Sequence, residues 1–411
     1  MPGLTSYCPP RRHVREEYGT STMRSAIRSL QKAKGSKTER VLIYRLGSLG
    51  DTVVALPCFH LIARTFSNAH RLMLTNFPVH AKAPSAAAVL DNSGLVHGYM
   101  RYFIGTRNPV ELLRVSSEIR RFQPDVLIYL MPVRSLKHVQ RDRLFFRFSG
   151  VRNIVGLPDG EGLTHRLDPS GGGLYEREAS RLARTVAALG DAELQNLGSW
   201  SLCLTQGERE CAKSSLGPLV EFPLIVCGPG TKMPAKDWGQ ENWRALIAHL
   251  HETYPEYGLV LVGAKEEAQM AGFAARDWRG HKVNLCGQLT PRETAAVLEH
   301  AAIFLGPDSG PMHLAASVGI PCVIAFSAAG VPGVWFPIGD RHQIIYHRTS
   351  CYGCRLVTCV EEGRRCLTSI GVAEMAAAVA RVLSRPAHEL ASDFVPTEWI
   401  DPAQKGEHSQ C

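Results

Sequence analysis

From residue 40 onward the chain alternates short apolar runs, ending at Gly, Asp or Asn, with stretches of helical pattern. That alternation confines it to layered α/β folds with parallel sheets, because a parallel strand is reached only through a crossover, usually helical, that also covers the sheet. In the first half strands are expected at 41–44, 71–75, 125–130 and 151–156, with helices over 109–122 and 176–189. In the second half they are expected at 224–227, 259–262, 283–286, 302–305 and 322–326. A strongly helix-forming segment over 372–383 follows, stopped by Ser384-Arg385-Pro386. The two halves share one plan, and 411 residues exceed what a single core ordinarily organises. The glycine-bearing stretch between Leu189 and Pro223 has no sustained period, so the join is placed near residue 200. The expected organisation is a leader over 1–39, Rossmann-like domains over 40–200 and 201–385, and a tail over 386–411.

A hydrophobic share of 45% and a charged share of 20% are those of a globular enzyme rather than a disordered chain. No run approaches the roughly 18 apolar residues of a membrane span. The first ten residues lack the pattern of an export signal, so a cytoplasmic location is expected. Net charge is +8, and residues 1–40 alone hold nine Lys or Arg against three Glu. Within this leader Met23, Ile27 and Leu30 fall at helical spacing beside Arg24, Arg28 and Lys32. The pattern admits a short basic amphipathic helix on an anionic membrane face, or a solvated extension. With no export signal, the twelve cysteines read as mostly reduced thiols. Cys227, Cys286 and Cys322 sit inside apolar strands, where cysteine acts as a small hydrophobe. Cys351, Cys354, Cys359 and Cys366 cluster within 16 residues, dense enough for a structural zinc site, with free thiols, a local disulfide or a redox role as the alternatives.

Three turns carry candidate chemistry. Asp308-Ser309-Gly310-Pro311-Met312-His313 joins a buried strand to a helix. Gly310 admits a ligand close to the backbone, Pro311 suits the first helical turn, and Asp308 and Ser309 offer capping oxygens. The free N–H groups of the helix end favour a pyrophosphate. Gly228-Pro229-Gly230-Thr231-Lys232 leads to Lys236, so one glycine-rich loop carries two lysines able to hold a diphosphate leaving group. Glu266 and Glu267 follow the next strand, where a carboxylate can accept ribose hydroxyls. In the first half Gly47 and Gly50 flank a turn ending at Asp51. It lacks a dinucleotide fingerprint, and the second strand ends at Asn76 instead of an acid. Asp51 would project from the carboxyl edge of its sheet, where it can take a proton from an attacking hydroxyl; capping its own helix is the plainer alternative. Pro57 should kink that helix about two turns in.

Together these motifs resemble the ADP-heptose transferases of lipopolysaccharide synthesis, glycosyltransferase family nine. The Gly50-Asp51 turn, Lys236-Asp237-Trp238 with Asn242-Trp243, and the run from Asp308 to Ala316 occur in family order, and the likeness spans roughly residues 40–385. It implies a GT-B fold, two Rossmann-like domains facing across a cleft, and inverting transfer without a metal or other cofactor. By position it implies Asp51 as catalytic base, Lys236 as phosphate-binding lysine and Thr231 as a donor-phosphate contact. Asp308 matches the sugar-hydroxyl ligand, Ser309, Gly310 and His313 complete the phosphate turn, and Leu289 gives a backbone contact to the base. The sequence departs from the family pattern in its basic leader and in Lys232, which stands where a second threonine is usual.

On the acceptor side, residues 131–150 set Arg134, Lys137, His138, Arg141, Arg143 and Arg147 among Leu144, Phe145, Phe146 and Phe148. This suits a phosphorylated or acidic glycolipid or oligosaccharide acceptor, and equally a helix with a solvated basic face. Two other function classes are open. A nucleotide-sugar epimerase of the same architecture would act on donor alone, and a nucleic-acid-binding protein would use the leader and the cysteine cluster. The second leaves the matched turns unexplained, so no nucleic-acid partner is expected.

Overall fold

In a computed structural model the described residues are 39–76, 84–158, 160–169 and 173–384. The leader helix proposed around Met23, Ile27 and Leu30 and the tail over 386–411 lie outside them.

Each apolar run expected to be a strand forms one, and the central runs are covered on both faces. The first sheet comprises β1 (Arg40–Tyr44), β2 (His70–Asn76), β3 (Gly98–Tyr102), β4 (Val126–Tyr129) and β5 (Ile154–Val155), in the order β3-β2-β1-β4-β5, and all its pairings are parallel. Val41 and Ile43 point into one core, with Phe59 and Ile62, while Leu42 and Tyr44 enter a second on the opposite face, with Val115, Ile119 and Phe146. The second sheet comprises β6 (Leu224–Cys227), β7 (Gly258–Leu261), β8 (Lys282–Asn284), β9 (Ala301–Pro307), β10 (Cys322–Phe326) and β11 (Gln343–Tyr346). Its order is β11-β10-β9-β6-β7-β8, also parallel throughout. Counted within its own half, that is the doubly wound order 3-2-1-4-5-6.

The expectation of strands over 322–326 and a helix over 372–383 is met to the residue. Two strands went unanticipated. β3 is an edge strand whose residues are mostly half-covered, and β11 is likewise an edge strand, so neither carries the continuous apolar run of a central parallel strand. The kink expected at Pro57 is a full break. Helix Leu49–Val53 ends, Val54 and Ala55 form a turn, and Leu56–Thr65 restarts with the proline in its first turn, where no N–H is required. Cys227, Cys286 and Cys322 are buried at 0%, 5% and 0% exposure, which agrees with their reading as small hydrophobes.

The 3-10 turn Leu197–Trp200 packs on helix Leu56–Thr65, whereas helix Gln206–Leu216 packs on Pro291–Leu298 of the second unit. The two sheets therefore belong to two units joined through the intervening residues. Several contacts tie them together elsewhere. Tyr175 N–H donates to the Pro332 carbonyl and Glu178 N–H to that of Val334, each at 2.9 Å. The buried Arg292 guanidinium donates to the carbonyls of Val89 at 2.9 Å and Leu202 at 2.8 Å.

Candidate active site

In a doubly wound sheet, ligands bind beyond the carboxyl ends of the strands where the strand order reverses. In the second unit that point lies between β6 and β9, which pair directly. The lysine loop leaves β6 and the Asp308 turn leaves β9, so the two motifs singled out in the sequence emerge side by side. In the first unit the reversal lies between β1 and β4, and the Asp51 turn leaves β1.

The Asp51 turn is built around its glycine. Gly47 has φ of +152°, and a Cβ there would lie 2.4 Å from Asp51 Cβ, so only glycine lets the chain fold back over the aspartate. Asn76, fully buried at the end of β2, clamps the same residue: Gly47 N–H donates to Asn76 Oδ1 at 2.8 Å, and Asn76 Nδ2 donates to the Gly47 carbonyl at 3.3 Å. An acid at position 76 could accept but not donate, which gives the asparagine a physical reason. Asp51 Oδ2 accepts from Ser48 N–H at 2.8 Å and from Ser48 Oγ at 3.0 Å. It thus closes its helix as the plainer reading held, and Oδ1 is left over.

In the lysine loop, Trp238 is 2% and Trp243 0% exposed, their rings edge-on at 4.7 Å; Trp238 Nε1 donates to the Ile370 carbonyl at 3.0 Å, and Asn242 Nδ2 to the Trp238 carbonyl at 2.8 Å. Burying such a ring contributes roughly 3 kcal/mol, so these aromatics anchor the loop. They free Lys236 to reach across to Asp308, with Nζ 2.5 Å from Oδ2. Thr231 Oγ1 accepts from Met233 N–H at 3.3 Å. Lys232 is exposed, yet neighbouring protein lowers its pKa while Glu267 and Asp51 act in the opposite sense, which puts its ammonium within electrostatic reach of both units.

Of the two glutamates, Glu267 is the one that meets the loop. A Cβ at Gly230 would lie 2.1 Å from its Cδ, and Glu267 Oε2 accepts from Ala264 N–H at 2.8 Å. Glu266 is exposed, away from this packing. Leu289 is half-buried against the main core. At the Asp308 turn one expectation needs correction. Ser309 occupies the N-cap position of helix Gly310–Ser317, but its side chain makes no capping bond; its Oγ is buried without a partner. A hydroxyl in that state is a ready donor to a ligand oxygen.

The two units touch through these turns. A Cβ at Gly50 would stand 3.0 Å from the His313 ring, and one at Gly310 would stand 2.5 Å from Leu49 Cδ2. His313 is 5% exposed, and burial drives its pKa down to about 4, with Asp308 and Asp51 raising it and Lys236 lowering it further. All three charges therefore converge on one neutral imidazole. Sequence reasoning missed Arg45, whose guanidinium, 1% exposed, donates to the Leu130 carbonyl at 3.0 Å and to the Asp51 carbonyl. Its signal was a cation set directly between an apolar strand and a glycine turn.

Cys351, Cys354, Cys359 and Cys366 line one small cavity with Ser327 and Thr349, all as free thiols. Among the described residues no three His, Cys, Asp or Glu side chains are placed to hold a metal ion, so the zinc reading gains no geometric support. The segment instead braces the lysine loop on both sides of Lys236: Ala235 N–H donates to the Val357 carbonyl at 3.0 Å and Arg364 to the Asp237 carbonyl at 2.8 Å.

Comparison with known proteins agrees with the motifs. Residues 179–364 match the family model for glycosyltransferase family 9 (heptosyltransferase). The chain is 30% identical over 105 residues to lipopolysaccharide heptosyltransferase 3 of Escherichia coli, a stretch covering 25% of this chain and only 31% of that relative. Among solved structures, a glycosyltransferase family 9 protein of Veillonella parvula superposes with a TM-score of 0.64 at 18% identity, covering 84% of this chain and 97% of the other. The ADP-heptose lipopolysaccharide heptosyltransferase II of Escherichia coli gives 0.59 at 17% identity, covering 84% and 98%. At such identities the structural likeness establishes the fold, which is GT-B. The Asp51 turn lies outside the residues matched by the family model.

Proposed function

We propose that this protein, whose residues 179–364 match the family model for glycosyltransferase family 9 (heptosyltransferase), is an inverting, metal-independent glycosyltransferase carrying heptose from ADP-heptose to a hydroxyl of a lipopolysaccharide-type acceptor. The observation that supports this reading is the meeting of the two turns, Gly50 against His313, from which the Asp51 carboxylate of one unit would face a turn of the other suited to the donor phosphates.

In this reading Asp51 Oδ1 takes the proton of the acceptor hydroxyl as its oxygen bonds to the anomeric carbon from the face opposite the leaving group. The bond from that carbon to the phosphate oxygen breaks, and its electron pair departs with ADP. Lys236, Lys232, Thr231, Ser309 Oγ and the N–H groups of Gly310 and Met312 receive the developing diphosphate charge. With two lysines supplying the countercharge, a divalent ion has no required task. Asp308 fixes Lys236 and offers its remaining oxygen to sugar hydroxyls. His313, held neutral, has one N–H to donate. Leu289 supplies a backbone contact to the base, and Glu267, with Glu266 behind it, lies on the ribose side. The acceptor, which the basic residues of 131–150 would suit if phosphorylated, approaches from the first unit. Work at the cytoplasmic face of the inner membrane follows from such an acceptor, with the basic leader as one peripheral contact, and nucleic acid has no place in the scheme.

The test uses purified protein, ADP-heptose and a lipopolysaccharide precursor lacking the sugar. Asp51→Asn should lower turnover by about a thousandfold or more, on the scale of losing a general base and its orientation, while calorimetric binding of ADP-heptose persists. Transfer should survive EDTA. Full activity in the Asp51 variant, or strict dependence on magnesium or manganese, would overturn the reading. Conversion of donor without acceptor would favour an epimerase.

A further inference from the structure

Large apolar side chains are exposed along one continuous stretch of the first unit. Phe103 and Ile104, just past β3, are 52% and 58% exposed; Val110 and Leu113 on helix Pro109–Phe122 are 70% and 59%; Leu144 and Phe148 on helix Leu136–Phe148 are 71% and 63%. These elements adjoin. Arg114 donates to the Arg101 carbonyl at 2.8 Å, tying the first helix to β3. Between the helices Ser149 Oγ donates to Ser116 Oγ at 3.0 Å, and the Arg120 guanidinium donates to the Phe148 carbonyl at 2.7 Å and lies 4.8 Å over the Phe148 ring. On each helix the exposed apolar residues lie opposite the core-facing ones, Val115 and Ile119 on the first, Val139 and Phe146 on the second. No core packing accounts for them, and a soluble surface seldom gathers so many together.

The charge of the same surface is one-sided. Lys137, Arg141, Arg143 and Arg147 are exposed on the second helix, and residues 103–148 hold nine Lys or Arg against four acids, of which Glu111 and Glu118 are paired with Arg114 and residues 131–150 hold one. That acid, Asp142, is buried and consumed by Arg134 at 2.6 Å and Arg141 at 2.9 Å. Apolar and aromatic tips interleaved with long cationic side chains match a bilayer interface, where rings enter the headgroup boundary and cations meet lipid phosphates. The surface also begins at the carboxyl ends of β3 and β4, the edge at which the Asp51 turn emerges.

We infer that this face, Phe103 to Phe148, docks the protein on an anionic lipid surface, with the outer side of its two helices lying against the bilayer and the carboxyl edge of the first sheet at one end of the contact. Its residues are other than those of the leader, and it would hold the cleft where a lipid-linked acceptor lies. The inference draws its purpose from the proposed transfer, but the surface is measured without donor or acceptor, so either can fail alone.

Full-length protein is floated with vesicles of phosphatidylcholine alone or with a third phosphatidylglycerol, at low and high salt. Binding should require phosphatidylglycerol and weaken at high salt. Replacing four exposed side chains together, Phe103→Ser, Ile104→Ser, Leu144→Ser and Phe148→Ser, should weaken it by about tenfold or more, with an unchanged melting temperature. Arg143→Ser with Arg147→Ser should weaken it by roughly twenty-five-fold, from about fivefold per cation. A fourfold variant that floats like the parent overturns the proposal, as does a parent protein that ignores phosphatidylglycerol. It is overturned too if deletion of residues 1–38 abolishes binding while the fourfold variant retains it, since the leader would then be the anchor.

Discussion

The guanidinium of Arg45 donates to the main-chain carbonyl of Asp51, so the proposed base is held through its backbone by one residue and through its carboxylate by Ser48. Arg45 also reaches the Leu130 carbonyl beyond β4, which couples the turn after β1 to the neighbouring strand. Lysine, a single point donor, cannot span both carbonyls as the planar fork does. Arg45→Lys should therefore displace Asp51 by a fraction of an ångström and lower kcat by about ten- to a hundredfold, with the Kd for ADP-heptose nearly unchanged. Calorimetry beside steady-state kinetics separates the two, and a variant with parental kcat would deny Arg45 a positioning role.

Lys236 and Asp308 are coupled in the same spirit. Removing the cation in Lys236→Ala should weaken ADP binding by about ten- to a hundredfold, the scale of one or two charge-assisted hydrogen bonds. It also leaves Asp308, 5% exposed, without its partner, so stability should drop by roughly 3 kcal/mol. In Lys236→Met with Asp308→Asn the unpaired charge disappears. Thermal melts of that double variant should recover toward the parent while ADP affinity does not. Recovery of both would mean that the lysine serves the fold and not the ligand.

Gly47 offers a purely steric route to the base. Its φ of +152° disfavours any side chain, and the added Cβ of Gly47→Ala would collide with Asp51 Cβ. Turnover should fall about as far as in Asp51→Asn, with a further loss of stability of roughly 1–3 kcal/mol from the backbone. Gly310→Ala meets the Leu49 side chain from Cδ2 to Cβ but adds no left-handed backbone strain, and should be milder. Equal loss in both glycine variants would point to closure of the units, not placement of the base, as the sensitive step.

The contrast between these residues explains what the sequence disclosed. β6, β9 and β10 are buried on both faces, so their apolar runs could be read directly, and with them the turns that follow. Trp238 and Trp243, noticed as part of a motif, prove to be anchors that a one-dimensional reading cannot tell from ligand contacts. The choice between Glu266 and Glu267 depended on which side of a short 3-10 turn faces Gly230, a matter of about 120 degrees that spacing does not resolve. The partners of Asn76 and Arg45 lie 29 and 85 residues away along the chain, in contacts that only the sheet order creates.

Two buried histidines set the acid limit. His313 and His342 are each held down to about 4, first by burial. His342 is locked neutral, with Nδ1 accepting from Cys322 N–H at 3.1 Å while Nε2 donates to the Ile338 carbonyl, so a second proton has no place without losing the first bond. The unfolded chain, with histidines near 6.5, binds more protons than the folded one between that value and 4. Stability should therefore be full above about pH 6.5 and fall as pH drops toward 4, by roughly 1.4 kcal/mol per pH unit for each histidine. Glu178 adds nothing in this window: although burial raises it, hydrogen bonds from Arg181 and His165 hold it at about 2, so its share is lost only below the ordinary glutamate range. Urea unfolding from pH 7.5 downward measures the slope. His342→Gln keeps a donor and an acceptor but cannot titrate there, and should lessen the slope by its own share, about 1.4 kcal/mol per pH unit. An unchanged slope in that variant would show that His342 does not resist its proton in the folded state.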